Sequence, residues 1–216
     1  MLKFLISSFL LFILIILNFS SSFGQARYIP TALRVGTDLT LLGGTLLGTG
    51  RNQYELNTDL QFGKYFFAVD YGMGSRQHVR EDFNYEFQGS YFRIGFDYNF
   101  IPEDPDINLI FAGLRYGRAF YSDNIIYHIE DDIFGNYSFG YENPSLNGRW
   151  IEVVAGMKIR VWNQLFLGYT LRYKLFGRVS GANNFSTYIM PGFGRAANSN
   201  TAGFNYHIFY RIPFNN

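Results

Sequence analysis

Residues Arg149–Arg178 read RWIEVVAGMKIRV, then WNQ, then LFLGYTLRYKLFGR, and the alternation within them decides the fold. In the first arm Ile151, Val153, Ala155, Met157, Ile159 and Val161 share one parity. Glu152, Gly156, Lys158 and Arg160 share the other, with Val154 the exception. In the second arm Leu165, Leu167, Tyr169, Leu171, Tyr173 and Leu175 alternate with Gly168, Thr170, Arg172 and Lys174. A period of two places successive side chains on opposite faces of a strand. Two such strands, long enough to cross a bilayer and joined at Trp162–Gln164, form the hairpin unit of a transmembrane barrel.

The same alternation recurs on both sides of this hairpin. It predicts strands over Thr31–Leu42, Tyr54–Phe62, Tyr65–Gly74, Phe87–Phe100, Ile107–Phe120 and Thr201–Phe214. With the two arms above, the count is eight. Gly63-Lys64, Ile101–Asp106 and Trp162–Gln164 read as short connections. Gly43–Gln53, Ser75–Glu86, Tyr121–Asn147 and Val179–Asn200 read as long polar ones. The expectation is an all-β fold: an eight-stranded antiparallel up-and-down transmembrane β-barrel with short periplasmic turns and long extracellular loops. Both termini then lie in the periplasm.

Which face points outward follows from size. The polar parity carries Arg34, Asp38, Asp59, Asp70, Arg93, Asp97, Arg115, Glu152, Lys158, Arg172 and Arg211, with Glu55, Arg160 and Lys174 on the same side. The opposite parity is aliphatic and aromatic almost throughout. Eight closed strands leave an interior just wide enough for side chains. Phe, Tyr and Leu from every strand would overfill it, whereas glycines between charges fit. The lumen is therefore expected to hold the charges as a structural network of ion pairs, with the aromatics facing lipid. A soluble, lipocalin-like barrel would have these faces reversed.

Composition fits this reading. Aromatic residues make up 20% of the 216 residues and charged ones only 16%, as expected for a chain that faces lipid with half its strand positions. The net charge of +1 gives no field that would favour nucleic acid. The absence of Cys excludes disulfides, thiolate metal sites, a Cys nucleophile and an N-terminal lipidated Cys. Lys3, the apolar run Phe4–Phe19, and Ser22-Phe23-Gly24 read as a secretory signal peptide over 1–24 that is cleaved before Gln25. Residues 25–30 are a short N-terminal segment, and 31–216 form the barrel domain. The destination is the outer membrane of a Gram-negative bacterium. The expected partners are outer-membrane lipid and, during insertion, the barrel-assembly machinery. The aromatic alternation running into Phe214 resembles the terminal-strand signal read by that machinery, although Asn215-Asn216 follow it. A monomer is expected.

The chain resembles small outer-membrane barrels of the OmpA/OmpX size class. More closely, it resembles an uncharacterised domain-of-unknown-function family of barrels typical of Bacteroidota. The resemblance rests on Tyr91–Tyr98 (YFRIGFDY), Gly113–Gly117 (GLRYG), Arg149–Glu152 (RWIE) and Tyr188–Gly194 (YIMPGFG). It implies the barrel and no activity, so it assigns no catalytic, cofactor or metal residue.

The chemistry-bearing residues are read accordingly. His78 and His128 fall in outer loops, near serines such as Ser75 or Ser122, but no spacing defines a Ser/His pair. His207 faces the lumen. Glu130-Asp131-Asp132 and the acids of Glu103–Asp106 lack Ca²⁺-loop spacing and read as solvated acidic loops. The glycines from Gly43 to Gly50 lack a Walker lysine. The expected role is structural or surface-interacting, with a closed polar lumen and no enzymatic activity. A narrow pore for small solutes or ions, or a lipid-modifying enzyme, are the alternatives.

Overall fold

The computed structural model describes residues 29–48, 50–80, 82–129 and 135–214. The expected signal peptide, the acidic run Glu130-Asp131-Asp132 and the terminal Asn215-Asn216 lie outside these residues. The strands are β1 (Ala32–Asp38), β2 (Arg51–Phe62), β3 (Tyr65–Val79), β4 (Phe83–Asn99), β5 (Leu109–Ile129), β6 (Tyr137–Trp162) and β7 (Leu165–Ser180). Two short strands, β8 (Ile189–Met190) and β9 (Gly194–Arg195), precede β10 (Thr201–Pro213). Eight of them close a ring in the order β1-β10-β7-β6-β5-β4-β3-β2, and β8 and β9 pair separately. Every pairing is antiparallel, and β1 meets β10 from Ala32↔Pro213 to Asp38↔His207. The fold is an eight-stranded up-and-down barrel.

Its faces are inverted relative to a soluble barrel. Phe96, Leu114, Leu171 and Phe204 are each at least half exposed, while Arg34, Asp38 and Glu152 have no exposure at all. An outward aliphatic and aromatic band around a charged interior suits a surface bathed in hydrocarbon rather than water.

The structure corrects the expected boundaries. Thr31–Leu42 is not one strand. β1 stops at Asp38, whose carboxylate accepts the backbone N–H groups of Thr40 and Leu41 and caps an eight-residue helix, α1 (Leu39–Leu46). The Leu39/Thr40/Leu41 alternation mimics a strand, but the aspartate N-cap redirects the chain. Ser75–Glu86 and Tyr121–Asn147 are mostly strand rather than loop. β3 and β4 run on to Val79↔Asn84, and β5 and β6 to Ile129↔Tyr137. Crossing a bilayer takes only ~9–11 residues. β5 with 21 and β6 with 26 therefore stand well beyond the apolar band. Polar residues are tolerated on both faces there, so the sequence loses its period. The Gly63-Lys64 turn is as expected, and the β6–β7 connection tightens to two residues, since Trp162 pairs with Leu165.

The lumen also departs from expectation near the short-turn end. Phe66, Phe111, Phe166 and Phe209 point inward and are buried. The ring fits because glycine occupies the neighbouring strands: a methyl at Gly36 or Gly168 would meet the Phe209 ring. At the opposite end a second apolar layer gathers Tyr85, Phe87, Tyr91, Trp150, Leu146, Met190 and Phe193. Trp150 lies against Gly117, where a methyl would collide with its indole.

Candidate functional site

The candidate site is the lumen, and its layers follow from strand register. In the lowest layer Asp59 pairs with Arg34 at 3.1 Å and with Lys158. The Arg34 guanidinium lies over Phe66 and Phe166 at 5.0 and 5.3 Å, and the Lys158 ammonium over Phe209 at 4.4 Å. These contacts add cation–π attraction to the ion pairs in a dry setting.

The middle layer is a mesh. Asp70 meets Arg115 at 2.5 Å, Arg93 at 3.1 Å and Arg172 at 3.4 Å, and accepts from Asn57 at 2.8 Å. Arg115 also holds Asp97 at 2.8 Å. Glu152 accepts from the Trp150 indole at 2.7 Å and from Arg172 at 3.0 Å, with Arg93 at 3.7 Å. Glu55 binds Arg93, accepts the Tyr91 hydroxyl, and accepts Asn57 at 2.7 Å. Sharing carboxylates among several guanidinium groups is how buried charges avoid the cost of desolvation without a partner.

Ten of the residues expected in the lumen network are buried there: Arg34, Asp38, Asp59, Asp70, Arg93, Asp97, Arg115, Glu152, Lys158 and Arg172. Arg211 is a correction. It sits half-buried at the short-turn rim, opposite Arg34 in the β1–β10 register, and its Nε has no hydrogen-bond partner. Asp38 is buried but caps α1 and accepts from Asn205 rather than joining an ion pair. Glu55 enters the network although it was not among those expected residues. Its parity was visible, but its contact with Arg93 across two intervening strand pairings was not.

Above the mesh the lumen is capped from within. Val179–Asn200, expected as an exposed polar loop, folds inward instead, so that Met190 and Phe193 are buried under the mouth. Lys174 donates to the Gly192 and Phe193 carbonyls at 2.8 and 3.1 Å. Tyr85 donates to Asp123 at 2.8 Å and lies 3.4 Å from the Thr187 hydroxyl, and Asn143 ties Asp123 to the Phe185 carbonyl. Burial holds the Tyr85 hydroxyl above the ordinary phenol range, so it stays a proton donor.

The outer histidines are placed differently from the sequence expectation. His128 faces Ser138 across the β5–β6 pair, with Nδ1 2.9 Å from the hydroxyl, and Asn84 lies 3.1 Å from Nε2. His128 and Ser138 are exposed at a hairpin end, where water competes for each proton. His78 instead stacks on Tyr188 and accepts from Arg80.

Comparison with known proteins comes down to one decisive match. The model of a family described as a domain of unknown function, DUF6048, matches residues 1–216. The chain belongs to the DUF6048 family. No curated protein sequence matches it. Among solved structures, this DUF6048 chain is similar to the N-terminal β-barrel domain of Pseudomonas aeruginosa OprF, at 10% identity, 85% of this chain, 98% of that chain and a TM-score of 0.37. Neisserial surface protein A gives 12%, 85%, 96% and 0.42. The attachment invasion locus protein Ail of Yersinia pestis, solved with the heparin analogue sucrose octasulfate, gives 10%, 85%, 97% and 0.40. At these scores the likeness decides nothing, and the DUF6048 barrel stands on its own strand pairing.

Proposed function

We propose that the protein is an outer-membrane barrel, sealed along its lumen, that acts through its extracellular hairpins in envelope structure or surface binding. The observation that carries this reading is the filling of the lumen. An aromatic floor, the Asp70-centred ion mesh and the Met190–Phe193 cap succeed one another along the axis. A pore needs a continuous wet path, and mixed charges that pair across the axis do not leave one.

What remains for contact with partners is the part of the strands beyond the apolar band. There Tyr127, Phe139, Tyr141 and Tyr137 form a run of rings, 5.4 Å apart at Tyr127–Phe139 and 5.8 Å at Phe139–Tyr141. Phe139 and Tyr141 are well exposed. Exposed aromatics of this kind are enriched at protein interfaces. The reading includes secretion through the leader at 1–24 with cleavage near Gly24, insertion by the barrel-assembly machinery, and a monomer in lipid. No reaction is assigned to it. The test is planar-bilayer recording of purified, folded protein. The expected result is an absence of sustained current, and steady ohmic single-channel steps would replace this reading with a pore.

A further inference from the structure

Where the barrel closes, three adjacent strands bring Asp38 (β1), Glu55 (β2) and His207 (β10) to one height. Asp38 pairs directly with His207 in the β1–β10 register, and Thr37 pairs with Leu56 on the other side. One ligand-capable atom from each of the three lies within 4.8 Å of the others, and all three residues are buried. Two further observations single this place out. His207 is 1% exposed, and neither of its ring nitrogens has a hydrogen-bond partner among the described residues. A buried imidazole with both nitrogens unsatisfied is costly, since native interiors satisfy nearly all such groups. Of the buried acids, Glu55, Asp59, Asp70, Asp97 and Glu152 each have a lysine or arginine in ion-pair range, whereas Asp38 and Asp123 have none among the described residues. Asp123 is held in the cap by Tyr85 and Asn143, and Asp38 lies beside His207. At this height, then, a carboxylate with no base in ion-pair range among the described residues stands beside an imidazole with no hydrogen-bond partner among them.

We propose that Asp38, Glu55 and His207 bind a divalent transition-metal ion of the zinc class, through one imidazole nitrogen and two carboxylate oxygens. Mixed nitrogen and oxygen donors favour zinc and its neighbours over Ca²⁺ or Mg²⁺, which prefer oxygen alone. The surroundings fit a metal site. Asp38 is held by the Thr40 and Leu41 backbone and by Asn205, and Asn205 accepts from Arg172 at 2.7 Å. Glu55 is held by Tyr91 and Asn57. Outer partners of this kind fix the orientation of ligating carboxylates. Arg93 on Glu55 is the competing cation, and metal binding shares that carboxylate with it. A cavity of about 170 Å³ beneath the Met190–Gly194 strap touches Glu55 and Asn205 and gives an approach from the mouth. A void of about 10 Å³ borders His207, Asp70 and Arg172, at the lower limit of room for one water.

The test uses the full chain folded in detergent micelles, with ZnCl₂ supplied either during refolding or afterwards. Metal retained after desalting is then measured by mass spectrometry, and Co²⁺ is substituted for visible absorption. The expected result is about one equivalent per chain, with Asn205→Ala weakening uptake roughly 10–100-fold. A His78→Gln/His128→Gln variant, which alters only the outer imidazoles, is expected to bind as the wild type does. His207→Gln, checked for folding by gel mobility, is expected to lose the ion. Wild type that retains less than about 0.1 equivalent under both loading regimes overturns the proposal. So does loss of uptake in the outer-histidine variant, or full uptake in folded His207→Gln.

Discussion

Glu152→Gln is the sharpest probe of the ion mesh. Glu152 is fully buried, faces Arg172 at 3.0 Å and Arg93 at 3.7 Å, and accepts the Trp150 indole at 2.7 Å. Removing one partner of a buried pair typically costs 3–5 kcal/mol, because the remaining charge stays desolvated. Two features reduce that figure here. Glutamine keeps a carbonyl for the indole, and Arg172 and Arg93 both retain Asp70. The expected loss is therefore about 2–3 kcal/mol. Adding Arg172→Gln removes the guanidinium left in excess, so the double variant should lose less than the two single losses combined, by at least about 1 kcal/mol. Urea-dependent folding in lipid vesicles, followed by tryptophan fluorescence and gel mobility, measures each value. A Glu152→Gln loss below about 0.5 kcal/mol, or strict additivity in the double variant, would refute the claim that these charges hold one another in a dry lumen.

Other expectations follow from the inverted faces and the internal cap. Leu171 is half exposed on the outer face and Thr170 is buried toward the lumen. Leu171→Arg should cost about 2–4 kcal/mol in vesicles. Thr170→Ser should cost less, as measured by the same urea titration, because it keeps the hydroxyl and adds neither bulk nor charge to the filled lumen. Phe193→Ala should cost about 3–5 kcal/mol by removing the ring packed edge-on to Trp150, and it should still show no conductance, since the mesh below is untouched. Protease added to intact cells should cut between Ile129 and Tyr137 and spare Gly63-Lys64 and Met190–Phe193. Cleavage only after the outer membrane is ruptured would reverse the proposed orientation.

The barrel was legible wherever lipid enforces a period. Leu171 and Arg172 differ by one position and by an entire environment, and that contrast recurs on every strand. Beyond the hydrocarbon the constraint ends, so the Ser75–Glu86 and Tyr121–Asn147 extensions looked like loops. The inward Phe66, Phe111, Phe166 and Phe209 were missed for a different reason. A lumen too narrow for a ring from every strand still admits four at this level, with Gly36 and Gly168 making room for Phe209 and Gly156 for Phe111. The meeting of Asp38, Glu55 and His207 depends on the stagger with which β1 closes on β10, and no local pattern records that stagger. Asp38 itself was readable as inward-facing, but its second role as a helix cap appears only once β1 is seen to stop there.

The ion pairs also bear on how such a wall is built. Several do not join neighbouring strands: Asp59 on β2 reaches Lys158 on β6, and Asp70 on β3 reaches Arg172 on β7. In an eight-membered ring each of these partners is four places away, on the far side of the tube. They act as tie rods across a diameter rather than rivets along a seam. An open, half-rolled sheet has no far side, so its carboxylates and guanidinium groups would face hydrocarbon bare. Rolling up should then be all-or-none, with no long-lived sheet of fewer strands in the bilayer, and the finished tube should resist flattening as well as unzipping.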